Sequence, residues 1–321
     1  MSEQAARRPA VSVVIPTHNT RGLTIACLAS LSQQKEIDVE IIVVDDGSVD
    51  GTSAAINDLH PHVRVLRSTS ARGFTAAANR GASEALGSVL LLLNSDTEVE
   101  RAALAEIARA FIERPRLGVA SATLVGPDGR EQWSGGRWPT PFWLFVLASG
   151  AAHFLARFRP YRRARGATKR RVDWVSGAAM AIRRAAWEEL GPFDERFAFY
   201  AQDVDLCVRA RDANWEVDIL AARVLHHGGA TIGRERGAAD GYHPALLWTD
   251  FLRLVLKRKG AAAARQSARA LRAGAICRLA ALRLARLRLR GTARDHAQRE
   301  SEAFRAGERA VRDWAQTTLR K

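Results

Sequence analysis

Residues 89–100 read VLLLLNSDTEVE, an apolar run that stops abruptly at Asn94, Ser95, Asp96, Thr97 and Glu98. An unbroken apolar stretch this short suits a strand covered on both faces, because a half-exposed strand alternates polar with apolar residues. A buried strand that empties into oxygen donors holds those oxygens in a fixed place. The neighbouring segments repeat the pattern. VSVVIP (11–16), VEIIVVDD (39–46), VRVL (63–66) and LGVASATLV (117–125) read as strands, with helical stretches at Leu23–Gln33, FTAAANRGASEAL (74–86) and RAALAEIARAFIER (101–114) between them. Continuous apolar strands alternating with helices predict an α/β fold, Rossmann-like, with a mostly parallel central sheet and helices on both faces. Ligands of such sheets bind beyond the carboxyl ends of the strands. Pro16, Thr17 and Asn19 follow the first strand, Asp45, Asp46, Gly47 and Ser48 end the second, and Asn94, Ser95 and Asp96 end the fourth. All three polar clusters are therefore expected on one rim.

Composition narrows the class. With 321 residues, 47% of them hydrophobic, the chain can bury a full core. Cys27, Cys207 and Cys277 are too few and too scattered for a disulfide framework or a cysteine zinc site, and they read as small buried hydrophobes of a reducing compartment. The polar stretch Met1–Pro9 has no signal-peptide character, and no run of about 20 uncharged apolar residues is present, so a cytoplasmic protein is expected. The formal charge of +15 is unevenly spread. Phe251–Arg290 holds twelve Lys or Arg and no acid, and Arg157–Arg171 holds eight and no acid, leaving a mildly acidic body. Two basic patches of this kind suit an anionic surface.

After Pro127 the alternation loosens into GGRWPTPFW, a tryptophan-rich loop. Order resumes with WVSGAAMAIRR (174–184) as a strand, AAWEELG (185–191) as a short helix stopped by Gly191 and Pro192, and QDVDLCVRARDANW (202–215) as another helix. From Trp248 onward the Ala, Leu and Arg content predicts helices, although Leu271–Arg290 gives no single apolar stripe.

Seven motifs occur in order: VVIPTHN, VVDDGSVDGT, RGFTAAANRG, LLLLNSDTEV, VSGAAMAIRR, QDVDLCVRAR and VLHHGGATIG. As a set they resemble the family 2 glycosyltransferases, inverting enzymes of the GT-A fold, over roughly Val11–Gly233. Among subgroups the chain is most similar to bacterial rhamnosyltransferase-like enzymes of surface polysaccharide assembly. The resemblance implies a GT-A domain over 1–250, with a nucleotide-binding half at about 11–125 and an acceptor half at about 126–250, and leaves 251–321 as a basic helical extension.

It also implies roles. A nucleotide-sugar donor carries a diphosphate leaving group that gains negative charge as the glycosidic bond breaks, and a divalent cation stabilises that charge as a Lewis acid. Asp96 is expected to be the main ligand, rather than a cap on the helix beginning near Arg101. Asn94 stands where the family often has a second acid, and Ser95 lies between them. Asp46 is expected at the nucleotide base, with Pro16 and Thr17 shaping the same pocket. Arg72 precedes a glycine and a helix, where a guanidinium meets phosphate oxygens, or else is a solvated loop arginine. Asp203 is expected to be the general base that takes the acceptor hydroxyl's proton. Asp205 competes for that role, and Arg209 is expected to pair with one of the two. Gln202 replaces the glutamate common in the family. His226, chosen over His227, supplies an imidazole ligand that favours Mn2+ over Mg2+. Trp174, Ser176 and Gly177 resemble the loop bordering the acceptor, although a tryptophan opening a strand is as often core.

The donor is expected to be a TDP-sugar, with UDP- or GDP-sugars as alternatives, and the acceptor a saccharide or lipid-linked saccharide. Family acceptors of that kind, together with the basic tail and residues 139–165, predict peripheral contact with an anionic membrane on its cytoplasmic face. A nucleic-acid partner is not expected, since the chain shows no recognisable module and the tail carries few aromatics. A nucleotidyltransferase would run its first strand into a glycine-rich loop, which Pro16-Thr17-His18-Asn19 is not.

Overall fold

In the computed structural model the described residues are 8–151, 172–197, 199–228 and 243–319. The basic block Arg157–Arg171 and Gly229, the last residue of the HHGG motif, lie outside them. The described residues gather into two compact units: 8–137, 172–196 and 202–227 form the first, and 138–151, 197, 199–201, 228 and 243–319 the second.

The first unit is built on an eight-stranded sheet. In chain order its strands are β1 (Val11–Thr17), β2 (Val39–Asp45), β3 (Arg64–Arg67), β4 (Val89–Leu93), β5 (Thr97–Val99), β6 (Leu117–Val125), β9 (Ala179–Arg183) and β10 (Glu216–His226), while β7 (Gly135–Gly136) and β8 (Trp174–Val175) form a small ribbon. The spatial order is β3-β2-β1-β4-β9-β6-β10-β5. Strands β1 to β4 pair in parallel, as does β6 with β10, whereas β9 runs antiparallel between β4 and β6, and β5 antiparallel to β10. Every residue of β1, β4 and β6 is buried, as their uninterrupted apolar sequences require. Each fully buried leucine of β4 contributes about 1.5–3 kcal/mol relative to solvent exposure, which keeps the strand end rigid. Helices α1 (Arg21–Leu31), α2 (Thr52–Leu59), α3 (Phe74–Glu84), α4 (Ala103–Glu113), α6 (Arg184–Leu190) and α7 (Gln202–Asp212) complete the unit. Gly118 packs flat beneath Trp215, whose Cβ would lie 2.5 Å from any Cβ added there.

The second unit joins α5 (Pro141–Ser149) to two long helices, α8 (Pro244–Arg286), kinked at Gly260 (φ 78°), and α9 (Gly291–Thr318). Trp248 of α8 is fully buried and meets Phe304 of α9 edge-on, with ring centroids 5.5 Å apart. Arg272–Glu308 and Arg278–Glu300 ion pairs flank this seam. Apolar side chains lie on both sides of α8, which is why its sequence shows no single stripe: Leu271 and Leu282 are buried, whereas Ile276 and Leu284 are exposed, as is Leu287 just past its end. Cys277 departs from expectation in being exposed, while Cys27 and Cys207 are buried. Asp250, fully buried, accepts from the Phe199 and Tyr200 amides (3.3 and 3.1 Å) and from Arg253 Nη1 (2.6 Å). It thereby ties α8 to the segment that leads into α7. Among the described residues no helix is long and apolar enough to cross a membrane.

Candidate active site

The strand ends of β1, β2 and β4 are joined by their own polar groups. Thr17 Oγ1 lies 2.7 Å from both Thr20 Oγ1 and Thr24 Oγ1, and Thr20 Oγ1 donates to Ser95 Oγ at 3.0 Å. This buried hydroxyl chain fastens the β1–α1 turn to the residue just before Asp96. Pro16, the last residue but one of β1, lies within the buried sheet in register with Val44. On β2, Asp45 accepts from the Ser48 amide (2.8 Å) and from Ser53 Oγ, closing the DDGS turn. Gly47 needs its left-handed φ of 79° there, and a Cβ would lie 2.9 Å from the Ser70 carbonyl carbon.

Asp46 is buried, and its carboxylate accepts from the Arg72 amide through both oxygens (2.9 Å each) and from the Gly73 amide (2.7 Å). Acceptor capacity remains for one further donor, since a carboxylate offers about four lone-pair directions. The same bonds fix the loop bearing Arg72, whose exposed guanidinium stands 3.5 Å from Glu195, a solvent-screened pair of little strength.

Asp96 sits seven residues before α4, with β5 between them, so it does not cap that helix. Its main-chain oxygen accepts from the His227 amide at 2.9 Å. Its side chain is buried, yet Oδ1 accepts no hydrogen bond among the described residues. His226 Nε2 lies 3.5 Å from this oxygen. Burial holds the His226 imidazole below its usual pKa, against the pull of Asp96 and with a smaller push from His227. The neutral ring is thus the prevailing form near pH 7, with its Nδ1 2.7 Å from Gln132 Oε1. A buried carboxylate oxygen without a donor, facing an imidazole nitrogen, is a mismatch that a divalent cation resolves. The donor set fits such an ion, although among the described residues no group of three His, Cys, Asp or Glu forms. His227 is engaged elsewhere, with its Nε2 2.8 Å from Glu98 Oε1.

Asp203 opens α7 half-buried. Its oxygens accept from the Gly177 amide (3.0 Å) and the Val204 amide (2.8 Å). Burial outweighs these bonds and pushes the carboxyl up to about 6, which suits a base working near neutrality. Asp205 is committed differently: it accepts from Arg209 Nε at 3.0 Å, and Arg209 reaches on to the carbonyls of Leu190, Gly191 and Pro192. Gln202 is buried, and its Oε1 has no hydrogen-bond partner among the described residues. The next residue but one to Gly177 begins β9, and Ala178 O accepts from the Asn94 amide at 3.0 Å. Asp203, Gly177 and the Asn94-Ser95-Asp96 turn therefore share one rim.

Trp174 is buried, donates Nε1–H to Arg137 O at 2.8 Å, and meets Trp133 edge-on at 5.1 Å. Trp133, at 37% exposed, is the more accessible ring of the pair. The Ser176 amide donates to Ser134 O at 2.9 Å, tying this loop to the Trp133 segment. Sequence reasoning missed Gln132 and Thr20. A threonine in the turn after β1 was visible, but a loop glutamine carries no local signature.

The family model for Glycosyl transferase family 2 matches residues 12–191, more than half of the chain. The chain is a family 2 glycosyltransferase. This glycosyltransferase is 31% identical over 229 residues to the N-acetylglucosaminyl-diphospho-decaprenol L-rhamnosyltransferase of Mycobacterium tuberculosis, covering 65% of the chain and 73% of that protein. It is 28% identical over 235 residues to the O-antigen biosynthesis protein RfbC of Myxococcus xanthus, covering 70% of the chain and 18% of that protein. Its fold is similar to that of a mannosyltransferase from Pyrobaculum calidifontis solved in complex with GDP-Man and Mn2+, with a TM-score of 0.54, 17% identity, and coverage of 97% of this chain and 88% of that one. The mostly parallel sheet and GT-A fold expected from the sequence are observed, whereas the single strand expected over 174–184 is broken at 176–178 into β8 and β9, which belong to different sheets. As a member of the family, the glycosyltransferase transfers a sugar from a nucleotide-sugar donor.

Proposed function

We propose that this glycosyltransferase moves a deoxysugar such as rhamnose, with inversion, from a TDP-sugar to a lipid-linked saccharide in cell-surface polysaccharide assembly. The sugar and acceptor are supported by the likeness to the mycobacterial rhamnosyltransferase, which extends over 229 residues. The unpartnered Oδ1 of Asp96 opposite His226 Nε2 carries the metal-dependent part. A carboxylate oxygen with an imidazole nitrogen suits Mn2+ better than Mg2+. A cation held by Asp96 and His226 would stabilise charge on the departing diphosphate as a Lewis acid.

The chain's own residues supply the rest. Pro16, Thr17 and Asp46 border the base, and Arg72, Asn94 and Ser95 face the phosphates. Asp203 removes the acceptor hydroxyl's proton as that oxygen attacks the anomeric carbon from the face opposite the leaving group. Its raised pKa leaves it mostly ionised at pH 7 but basic enough to take a proton. Trp174, Ser176, Gly177 and Gln202 border the acceptor. Exposed Ile276 and Leu284 on α8 and Leu287 just past its end, interleaved with Arg283, Arg288 and Arg290, form a basic apolar surface suited to the headgroup region of an anionic cytoplasmic leaflet.

Calorimetric binding of TDP, UDP and GDP, each with Mn2+ and again with EDTA, tests the donor and metal together. Metal-dependent preference for TDP is expected. Preference for UDP or GDP would overturn the deoxysugar assignment, and equal binding in EDTA would overturn the metal requirement.

A further inference from the structure

Gln132 holds one residue with both ends of its carboxamide. Its Nε2 donates to the main-chain oxygen of His226 at 2.8 Å, and its Oε1 lies 2.7 Å from His226 Nδ1. A main-chain carbonyl only accepts, so the amide nitrogen faces it and the amide oxygen must face the ring. An oxygen there accepts only from a protonated Nδ1. The neutral ring then carries its proton on Nδ1 and presents a bare Nε2, the atom 3.5 Å from Asp96 Oδ1.

The local chain explains why this glutamine sits there. After β6 the GPDGR segment turns tightly: the Gly126 amide donates to Arg130 O (2.8 Å), the Gly129 amide to Gly126 O (2.9 Å), and Gly129 takes a φ of 73°. Val125 and Glu131 bridge across the turn, and the Gln132 amide donates to Leu124 O at 2.8 Å. Because Val125 is in register with Leu225 on β10, the returning strand brings Gln132 level with His226. Gly126 leaves the room, since a Cβ there would stand 3.2 Å from Gln132 Nε2.

We infer that Gln132 is a positioning residue that locks His226 in the Nδ1–H tautomer, so that Nε2 is turned to a divalent cation shared with Asp96. The inference rests on the cation site proposed above. A hydrogen-bonded partner on the far nitrogen of a ligand histidine fixes its tautomer and orientation, and its loss typically costs about 10–100-fold in metal affinity.

Two variants of the full-length chain separate this from a purely structural role. Gln132→Met removes both bonds, whereas Gln132→Glu keeps an acceptor for Nδ1–H but loses the donor to His226 O. Nitrogen-15 NMR of the metal-free protein reads the His226 tautomer, and water-proton relaxation during titration with Mn2+ alone reads affinity. The expected result is the Nδ1–H tautomer in wild type and Gln132→Glu, mixed tautomers in Gln132→Met, and a loss of about 10–100-fold in Mn2+ affinity in Gln132→Met only. A wild-type ring protonated on Nε2, or Gln132→Glu as weak as Gln132→Met, overturns the inference. Wild type that binds no Mn2+ overturns the cation site itself, whereas equal binding by wild type and Gln132→Met overturns only the role of the glutamine.

Discussion

Replacing Asp203 with Asn tests the base through a quantity that needs no substrate. Burial moves the folded carboxyl from 3.8 to about 6, a difference of about 2 units. Between these values the folded chain retains a proton that the unfolded chain has released. Raising the pH through this window therefore lowers the stability of wild type, by up to about 3 kcal/mol at about 1.4 kcal/mol per unit and on the order of 1–3 for a half-buried group. Asparagine has no such slope. Its amide gives up an acceptor for either the Gly177 or the Val204 amide, but that loss is a constant offset with pH. Urea unfolding of both chains from pH 4 to 8 should show Asp203→Asn gaining on wild type as the pH rises, with the gain levelling above about pH 6. The same titration should appear in catalysis, with kcat/KM falling about tenfold from pH 7 to 5, because a group of pKa about 6 is ionised to about 9% at pH 5. A carboxyl at 3.8 would leave that rate almost unchanged. A flat stability difference, or one in which Asp203→Asn loses ground as the pH rises, would refute the reasoning and mean that the two backbone amides outweigh burial.

The two adjacent histidines should behave differently. His226→Ala should weaken Mn2+ binding by more than the about 10–100-fold that a lost supporting partner costs, and His227→Ala, which breaks only the contact with Glu98, should leave it within a few-fold; the reverse order would exchange their roles. Full-length protein should co-sediment with anionic liposomes at low salt and release as salt rises, while Leu284→Asp with Leu287→Asp should bind less; retention on neutral vesicles alone would contradict the electrostatic part. Gly47→Ala should cost on the order of 1–3 kcal/mol, seen as a lower urea midpoint, because it combines a left-handed φ with a backbone clash at Ser70. An unchanged midpoint would show that the turn rearranges freely.

What the sequence revealed follows from range. Strands β1, β2, β4 and β6 were legible because residues buried on both faces must be continuously apolar, and their polar ends fall on one rim by topology alone. Strand β5 was not, since Thr97-Glu98-Val99 is too short to show a period and pairs with β10, more than a hundred residues away. The separation of His226 from His227 was equally hidden, because only their neighbours, Asp96 and Glu98, tell them apart. Asp205 looked like a base until Arg209 was seen to engage it. Trp174 opens a two-residue strand, where sequence cannot decide between core and surface. The joining of α5 to α8 rests on the close approach of Gly274 to Phe145, whose carbonyl oxygen would stand 2.5 Å from an added Cβ, and no local pattern announces it.

Asp250 bears on how this chain can be shortened. A piece ending before Pro244 would keep every strand of the sheet and every family motif, and by sequence alone would pass for a complete catalytic domain. It would also lose the carboxylate that receives the Phe199 and Tyr200 amides, three residues before the helix that begins with Gln202 and Asp203. Residues 199 and 200 would lose that anchor although every strand of the sheet remained. A boundary drawn at the end of the sheet would therefore cut hydrogen bonds that join residues 199 and 200 to Asp250.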